Sequence, residues 1–223
     1  MDEDKFLIDI KDYINKRIDF DIQKKDFMNC NNCFSCDDEY KLEKEIIQKI
    51  KSKDFQNTTE QGNLLENLVK SLFKRITLIS SLSVTNKDTA LGQIDINLIP
   101  IDETIYEIWG MIGDFPSCLI GECKNYKSEK VGRSEIEKMC WRTSKGQALS
   151  FFIAPSYTKE AIEEISYFNL SKESILKKSQ GVYLVPLTLK MLEIIVYNNL
   201  NFCYFIRWAI ETTKRKMAIA NYL

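Results

Sequence analysis

The ten residues CLIGECKNYK (118–127) join an apolar run to an abruptly charged end. Cys118, Leu119, Ile120 and Gly121 read as a strand entering a core. Glu122 and Lys124 follow, two residues apart, with Cys123 between them. In an extended chain, residues i and i+2 share a face, so an acid and a base stand side by side where the strand ends. In isolation this pair is a strand-edge salt bridge. The segments on either side change that reading.

Upstream, GQIDINLI (92–99) sets Ile94, Ile96 and Leu98 against Gln93, Asp95 and Asn97. That is the period-two pattern of a half-buried strand, with Asp95 on the polar face. TLISSLSV (77–84) is a strand before it. Residues 103–112 fit a strand or a short helix, and a turn at Gly113, Asp114 and Pro116 separates them from strand 117–124. Further upstream, TTEQGNLLENLVKSLFKRI (58–76) carries Leu64, Leu65, Leu68, Val69, Leu72 and Phe73 at helical spacing, with Glu66 on the rim of that stripe. Downstream, Ser134 and Glu137 form a capping-box pattern before a helix to about 144. Strand 148–154, helix 158–168, strand 182–185 (stopped by Pro186), helix 189–199 (capped by Thr188) and helix 203–219 complete the chain.

The order predicts an α/β fold with a mixed sheet, three meandering strands first and later strands added through helical crossovers. Residues 4–18 and 39–52 show helical spacing around the loop MNCNNCFSCD (28–37). Two regions are therefore expected: a helical N-terminal appendage with a Cys-rich loop over 1–57, and the α/β domain over 58–223.

Composition narrows the chemistry. The 223 residues include no His, which removes histidine triads, histidine zinc sites and histidine general bases. Carboxylates, Lys, Ser, Tyr and Cys remain. There is no apolar run of transmembrane length, and the acidic start MDEDKFLIDI is unlike a secretory signal, so a cytoplasmic protein with no membrane partner is expected. In such a compartment seven Cys argue against a disulfide framework. Net charge is −1, yet Lys124 to Lys145 holds seven basic residues against three Glu, a local patch able to hold phosphates.

If strands 92–99 and 117–124 pair, Asp95 and Glu122 converge. Neighbouring carboxylates repel unless a cation sits between them, and a hard ion such as Mg²⁺ relieves that cost using carboxylates, water and substrate phosphate. The Cys123 carbonyl is a further oxygen donor, and Lys124 is placed to orient or deprotonate an attacking water. These parts suit phosphodiester hydrolysis.

With G-N-L-L-E (62–66), G-Q-I-D (92–95) and G-E-C-K-N (121–125) in this order, the chain resembles the PD-(D/E)-x-K nuclease superfamily of restriction-endonuclease-like fold. The pattern is closest to the catalytic domains of Mrr-like type IV restriction enzymes. The resemblance spans roughly residues 59 to 195, and Ile94 stands where the first motif usually has proline. It implies Asp95 and Glu122 as Mg²⁺ ligands (Mn²⁺ substituting), Lys124 as the catalytic lysine and Glu66 as an auxiliary acid. It implies an endodeoxyribonuclease of restriction or antiviral defence, leaving 3′-hydroxyl and 5′-phosphate ends. Double-strand cleavage needs two such sites, hence a homodimer. It also implies that the helix after the motif faces DNA, with Lys127, Lys130, Arg133 and Arg142 on phosphates. Such contacts give affinity without reading sequence. With no base-reading motif present, target choice falls to a partner subunit, the appendage or loops. The alternatives are a transposase-type or junction-resolving nuclease of the same fold, and a non-cutting DNA-binding or assembly subunit.

Cys30, Cys33 and Cys36 have two-residue spacing suited to zinc or an iron–sulfur cluster. A fourth ligand would have to come from Cys118, Cys140, Cys203 or an acid such as Asp37. The competing reading is a loop of reduced cysteines. Tyr106, Trp109, Trp141 and Trp208 read as packing residues.

Overall fold

The computed structural model describes residues 1–24, 40–52, 55, 57–76, 79–84, 88–89, 92–100, 116, 118–125, 129–171 and 181–223. Helices α1 (Glu3–Lys24), α2 (Lys41–Ser52) and α3 (Thr58–Lys74) come first. Strands β1 (Ile79–Val84), β2 (Asp88–Thr89), β3 (Gly92–Gln93), β4 (Ile96–Pro100) and β5 (Cys118–Cys123) follow. Then α4 (Arg133–Lys145), β6 (Ala148–Ala154), α5 (Lys159–Leu170), β7 (Tyr183–Thr188), α6 (Leu189–Tyr197), α7 (Phe202–Lys214) and a closing 3₁₀ turn (Ala218–Tyr222) alternate.

Five strands form one mixed sheet in the order β1-β4-β5-β6-β7. β1, β4 and β5 are antiparallel neighbours, as a meander requires, and β6 and β7 join in parallel through α4 and α5. The fold is thus α/β, a mixed sheet flanked by helices. β6 is ALSFFIA and is buried along its whole length, as expected of a parallel strand covered on both faces. Phe151 points to the side of α3 and α7, its ring tilted against Phe73, which in turn meets Phe202 edge-on. Phe152 and Ser150 point to the other side, where the Thr143 hydroxyl of α4, donating to the Met139 carbonyl at 2.8 Å, is hydrogen-bonded to the Ser150 hydroxyl at 2.7 Å.

The 92–99 segment differs from its expected continuous strand. Gly92–Gln93 pairs with Asp88–Thr89 in a separate two-stranded ribbon, and only Ile96–Pro100 enters the main sheet. The chain bends at Asp95 between them. Asp95 is consequently buried rather than solvated on a polar strand face. Strand β7 runs through Pro186 to Thr188. Its position at the sheet edge, with β6 on one side alone, lets a residue without an N–H stay in the strand. The cap of α4 also moves: the helix begins after Gly132, whose N–H donates to Glu135 Oε2 at 2.9 Å, so only the reciprocal half of a capping box forms, through Glu135 and not through Ser134 and Glu137.

The first helices share the core of the sheet. Phe6 and Ile10 of α1 are fully buried, and the Phe6 ring meets Trp208 and Phe205 edge-on. Tyr40 donates to the Leu200 carbonyl at 2.6 Å, and the Arg75 guanidinium sits 4.4 Å over its ring. Trp208 is buried as expected, whereas Trp141 is exposed; Tyr106 and Trp109 lie outside the described residues. Among the described residues, no helix is long and apolar enough to cross a membrane.

Gly121 faces Ile96 across the β4–β5 pair, and a Cβ added there would lie 3.3 Å from Ile96 Cβ. Gly121→Val should therefore lower stability by about 1–3 kcal/mol, the usual range for overpacking. A urea titration reads this as a lower midpoint at unchanged slope; an unshifted midpoint would show that β4 and β5 pack less closely.

Candidate active site

Ile96 pairs with Gly121 in the antiparallel register of β4 and β5, so one step beyond it Asp95 comes level with Glu122. The bend before β4 turns the Asp95 side chain onto the neighbouring strand, where its Oδ2 accepts the Cys123 N–H at 2.8 Å. Lys124 continues the sheet ladder by donating its N–H to the Ile153 carbonyl at 2.9 Å, which fixes the residue after the strand. The Lys124 ammonium stands 2.6 Å from Glu122 Oε1. Asp95, Glu122 and Lys124 therefore meet at the ends of adjacent strands.

Burial, then the charge of Glu122, raises the Asp95 carboxyl to about 6; the Cys123 N–H and Lys124 oppose the rise, and Glu66 adds a smaller upward push. The Cys123 thiol is held well above its usual range, first by burial and then by Asp95, Glu66 and Glu122. It stays a neutral thiol, so the hard donor this residue offers is its carbonyl oxygen. Glu66 lies on α3, paired with Lys70 at 3.0 Å.

Gln61, which sequence reasoning passed over, and Asn125, the last residue of the G-E-C-K-N motif but without an assigned role, lock α3 to the motif. The Asn125 amide donates to the Gln61 carbonyl at 2.6 Å, and the Gln61 amide donates back to the Asn125 carbonyl. Gln61 is buried, and this reciprocal pair sets the helix that carries Glu66 against the residue following Lys124. The available signal was position: Gln61 directly precedes G-N-L-L-E, and Asn125 closes the G-E-C-K-N motif.

Arg142, expected on phosphates, reaches back from α4 to Glu122 Oε2 at 3.0 Å. Glu122 is thus clamped between Lys124 and Arg142. Together with Glu135, Lys138, Met139 and Phe152, these three line an open cavity of about 290 Å³. Arg133 is engaged by Glu137 at 2.8 Å and Glu164 at 3.0 Å, while Lys130 is exposed just before α4. Lys127 and the Cys30, Cys33 and Cys36 cluster lie outside the described residues. Cys118 is half-buried, its thiol donating to the Gly146 carbonyl, and Cys140 and Cys203 are buried.

The donors at Asp95, Glu122, the Cys123 carbonyl and Glu66 are oxygens, which suit a hard dication over a soft one. The Asp95 carboxyl is raised first by burial and then by repulsion from Glu122, and a bound cation would offset both by favouring the ionised form. Among the described residues no three Cys, Asp or Glu side chains form a ready cage. Magnesium needs none, being held by one or two carboxylates with water and phosphate completing its shell. Neither family models, curated proteins nor solved structures match this chain.

A carboxyl raised in the folded state binds its proton more tightly there than in the unfolded chain. Its ionisation therefore removes stability as pH rises from about 4 to about 6, by up to about 3 kcal/mol. Asp95→Asn keeps an acceptor for the Cys123 N–H but does not titrate. In chelator, the variant should become progressively more stable than wild type across that window. Denaturant melts at successive pH values test this, and a constant difference would refute it.

Proposed function

We propose that the chain is a metal-dependent endodeoxyribonuclease of restriction-endonuclease-like fold, acting in restriction or antiviral defence. The observation that carries the reading is the meeting of Asp95, Glu122 and Lys124 at the ends of β4 and β5, with Asp95 buried and destabilised as an anion. A purely structural acid in that position would be expected to have a compensating cation. Among the described residues Asp95 makes no ion pair.

Asp95, Glu122 and the Cys123 carbonyl would hold Mg²⁺ or Mn²⁺, with Glu66 beside them. When bound, the ion would neutralise the carboxylates and polarise the phosphate and water oxygens as a Lewis acid. As the ammonium paired with Glu122, Lys124 would orient the attacking water and its charge would favour the pentavalent phosphate; taking the water's proton would require its neutral amine. Arg142 is within reach of the same space, and leaving Glu122 frees its guanidinium for a phosphate oxygen, for which its planar fork is suited. Lys130 and Lys138 extend the positive surface outward. Double-strand cutting would require two copies of the chain, and target choice a partner subunit or the N-terminal region.

A non-cutting member of the same fold is the second reading, favoured by the double clamp on Glu122. Plasmid DNA with Mg²⁺ separates the two. Wild type should nick or linearise it, Lys124→Ala should lose about 10²- to 10⁴-fold in rate as expected for a proton-transfer group, and Asp95→Ala should fall to background. Magnesium should also raise the melting temperature of wild type and leave Asp95→Ala unchanged, because an ion bound to the native state alone stabilises it by mass action. Equal inertness of wild type and both variants, with no magnesium shift, would end the nuclease reading.

A further inference from the structure

Helix α4 has a third face besides those turned to the core and to Glu122. At 100° per residue, Ser134, Lys138, Trp141 and Lys145 fall within about 60° of one another. All four are exposed, and the Trp141 indole is 56% exposed, a large apolar ring left open to water. The inward positions Ile136, Met139, Cys140 and Thr143 are buried, so the helix cannot rotate to hide the ring. The helix acids are already engaged: Glu135 bonds the Gly132 N–H, and Glu137 pairs with Arg133. Among the described residues, Lys138 and Lys145 have no carboxylate partner. Lys138 also lines the cavity that holds Glu122, Lys124 and Arg142, so the stripe is continuous with the candidate active site.

From this surface we infer that Trp141 is a stacking platform for an unpaired base, with Lys138 and Lys145 holding the flanking phosphates. The ligand class is single-stranded nucleic acid, or a strand locally opened from a duplex. A tryptophan face can stack only on a base that has left its neighbours, and an aromatic ring between cations is how single strands are held without regard to sequence. The interleaved lysines argue against a protein occupant, because lysine is depleted at protein–protein interfaces. Lys138 to Lys145 spans about 10 Å along the helix, ending at the cavity, so the strand would be led toward Lys124. The inference rests on the nucleic-acid reading above and adds its substrate: DNA or RNA with an unpaired segment.

The test uses the full chain in chelator, so that binding is read without cleavage. Anisotropy is measured with one labelled sequence as single-stranded DNA, single-stranded RNA and duplex DNA. Wild type should hold a single strand more tightly than duplex at equal salt; the DNA and RNA arms tell which sugar is preferred. Trp141→Ala should weaken single-strand binding by about 5- to 150-fold, the range for losing one base–aromatic stack. Its duplex binding should change by less than about two-fold, and Trp141→Phe should restore most of the loss. Lys138→Gln and Lys145→Gln should each lower the salt dependence of single-strand binding by roughly 0.7 in log–log slope. Unchanged single-strand binding in Trp141→Ala, or an equal loss on single strand and duplex, would overturn the proposal. So would a shift in sedimentation of Trp141→Ala without a change in strand binding, which would mark the ring as a protein contact. Trp141-dependent binding with neither plasmid cleavage nor a magnesium shift would leave the platform standing and remove the nuclease reading; cleavage with no Trp141 effect would remove the platform alone.

Discussion

The hydrogen bond from the Cys123 N–H to Asp95 Oδ2 organises this molecule's candidate chemistry. It forms where β4 begins and β5 ends, and it exists because the chain bends at Asp95 instead of continuing as a strand from Gln93. The bend brings the carboxylate across to the neighbouring strand, and the bond brings it into a buried position beside Glu122. Main-chain ladders on both sides of β5 then hold Glu122 and Lys124 in place. The Gln61–Asn125 pair fastens α3 over the same point.

A second buried acid shows why Asp95 is unusual. Glu43 is 1% exposed, and burial pushes its carboxyl upward, yet the net shift is downward. Arg75 approaches it through two nitrogens at 2.9 and 2.8 Å, and Ser71 donates a third bond at 2.6 Å. There, charge-assisted bonds outweigh desolvation, as they do in a finished structural pair. At Asp95 one backbone N–H and the charge of Lys124 oppose desolvation and the neighbouring carboxylates, and the balance goes the other way. Glu122 and Glu66 are meanwhile matched with Lys124, Arg142 and Lys70. The unbalanced charge in the cluster is thus concentrated on one residue, where a cation would relieve the most free energy.

Much of the framework was legible because periodicity and burial are linked directly. The apolar run of 148–154 and the helical stripe from Leu64 to Phe73 each lead to the element observed, whereas the alternation around Ile96 leads to only part of it, the strand from Ile96. What was not legible depended on tertiary context. Pro186 reads as a strand end unless the strand is known to lie at the sheet edge. Ser134 and Glu137 satisfy a capping pattern, but Glu135 reaches the Gly132 N–H first, and the helix starts earlier. The alternation that put Asp95 on a polar face held for spacing but failed for solvation, because a bend intervened. Trp141 sits two residues from the buried Met139, and only the packed orientation of α4 separates the ring that faces water from the side chains that do not.

That orientation follows from one constraint. The Thr143–Ser150 bond and the buried Ile136 and Met139 fix the rotation of α4 against β6. With the inner face fixed, a rise of 1.5 Å and a turn of 100° per residue leave no freedom for the others. Arg142, adjacent to Thr143, must come over the end of β5 and meet Glu122. Lys138, Trp141 and Lys145 must then line the outward side. Core packing, the clamp on Glu122 and the exposed aromatic stripe are therefore three readings of a single helical phase. Any change that rotated α4 to bury Trp141 would also withdraw Arg142 from the candidate site, which ties the surface of this helix to the chemistry beneath it.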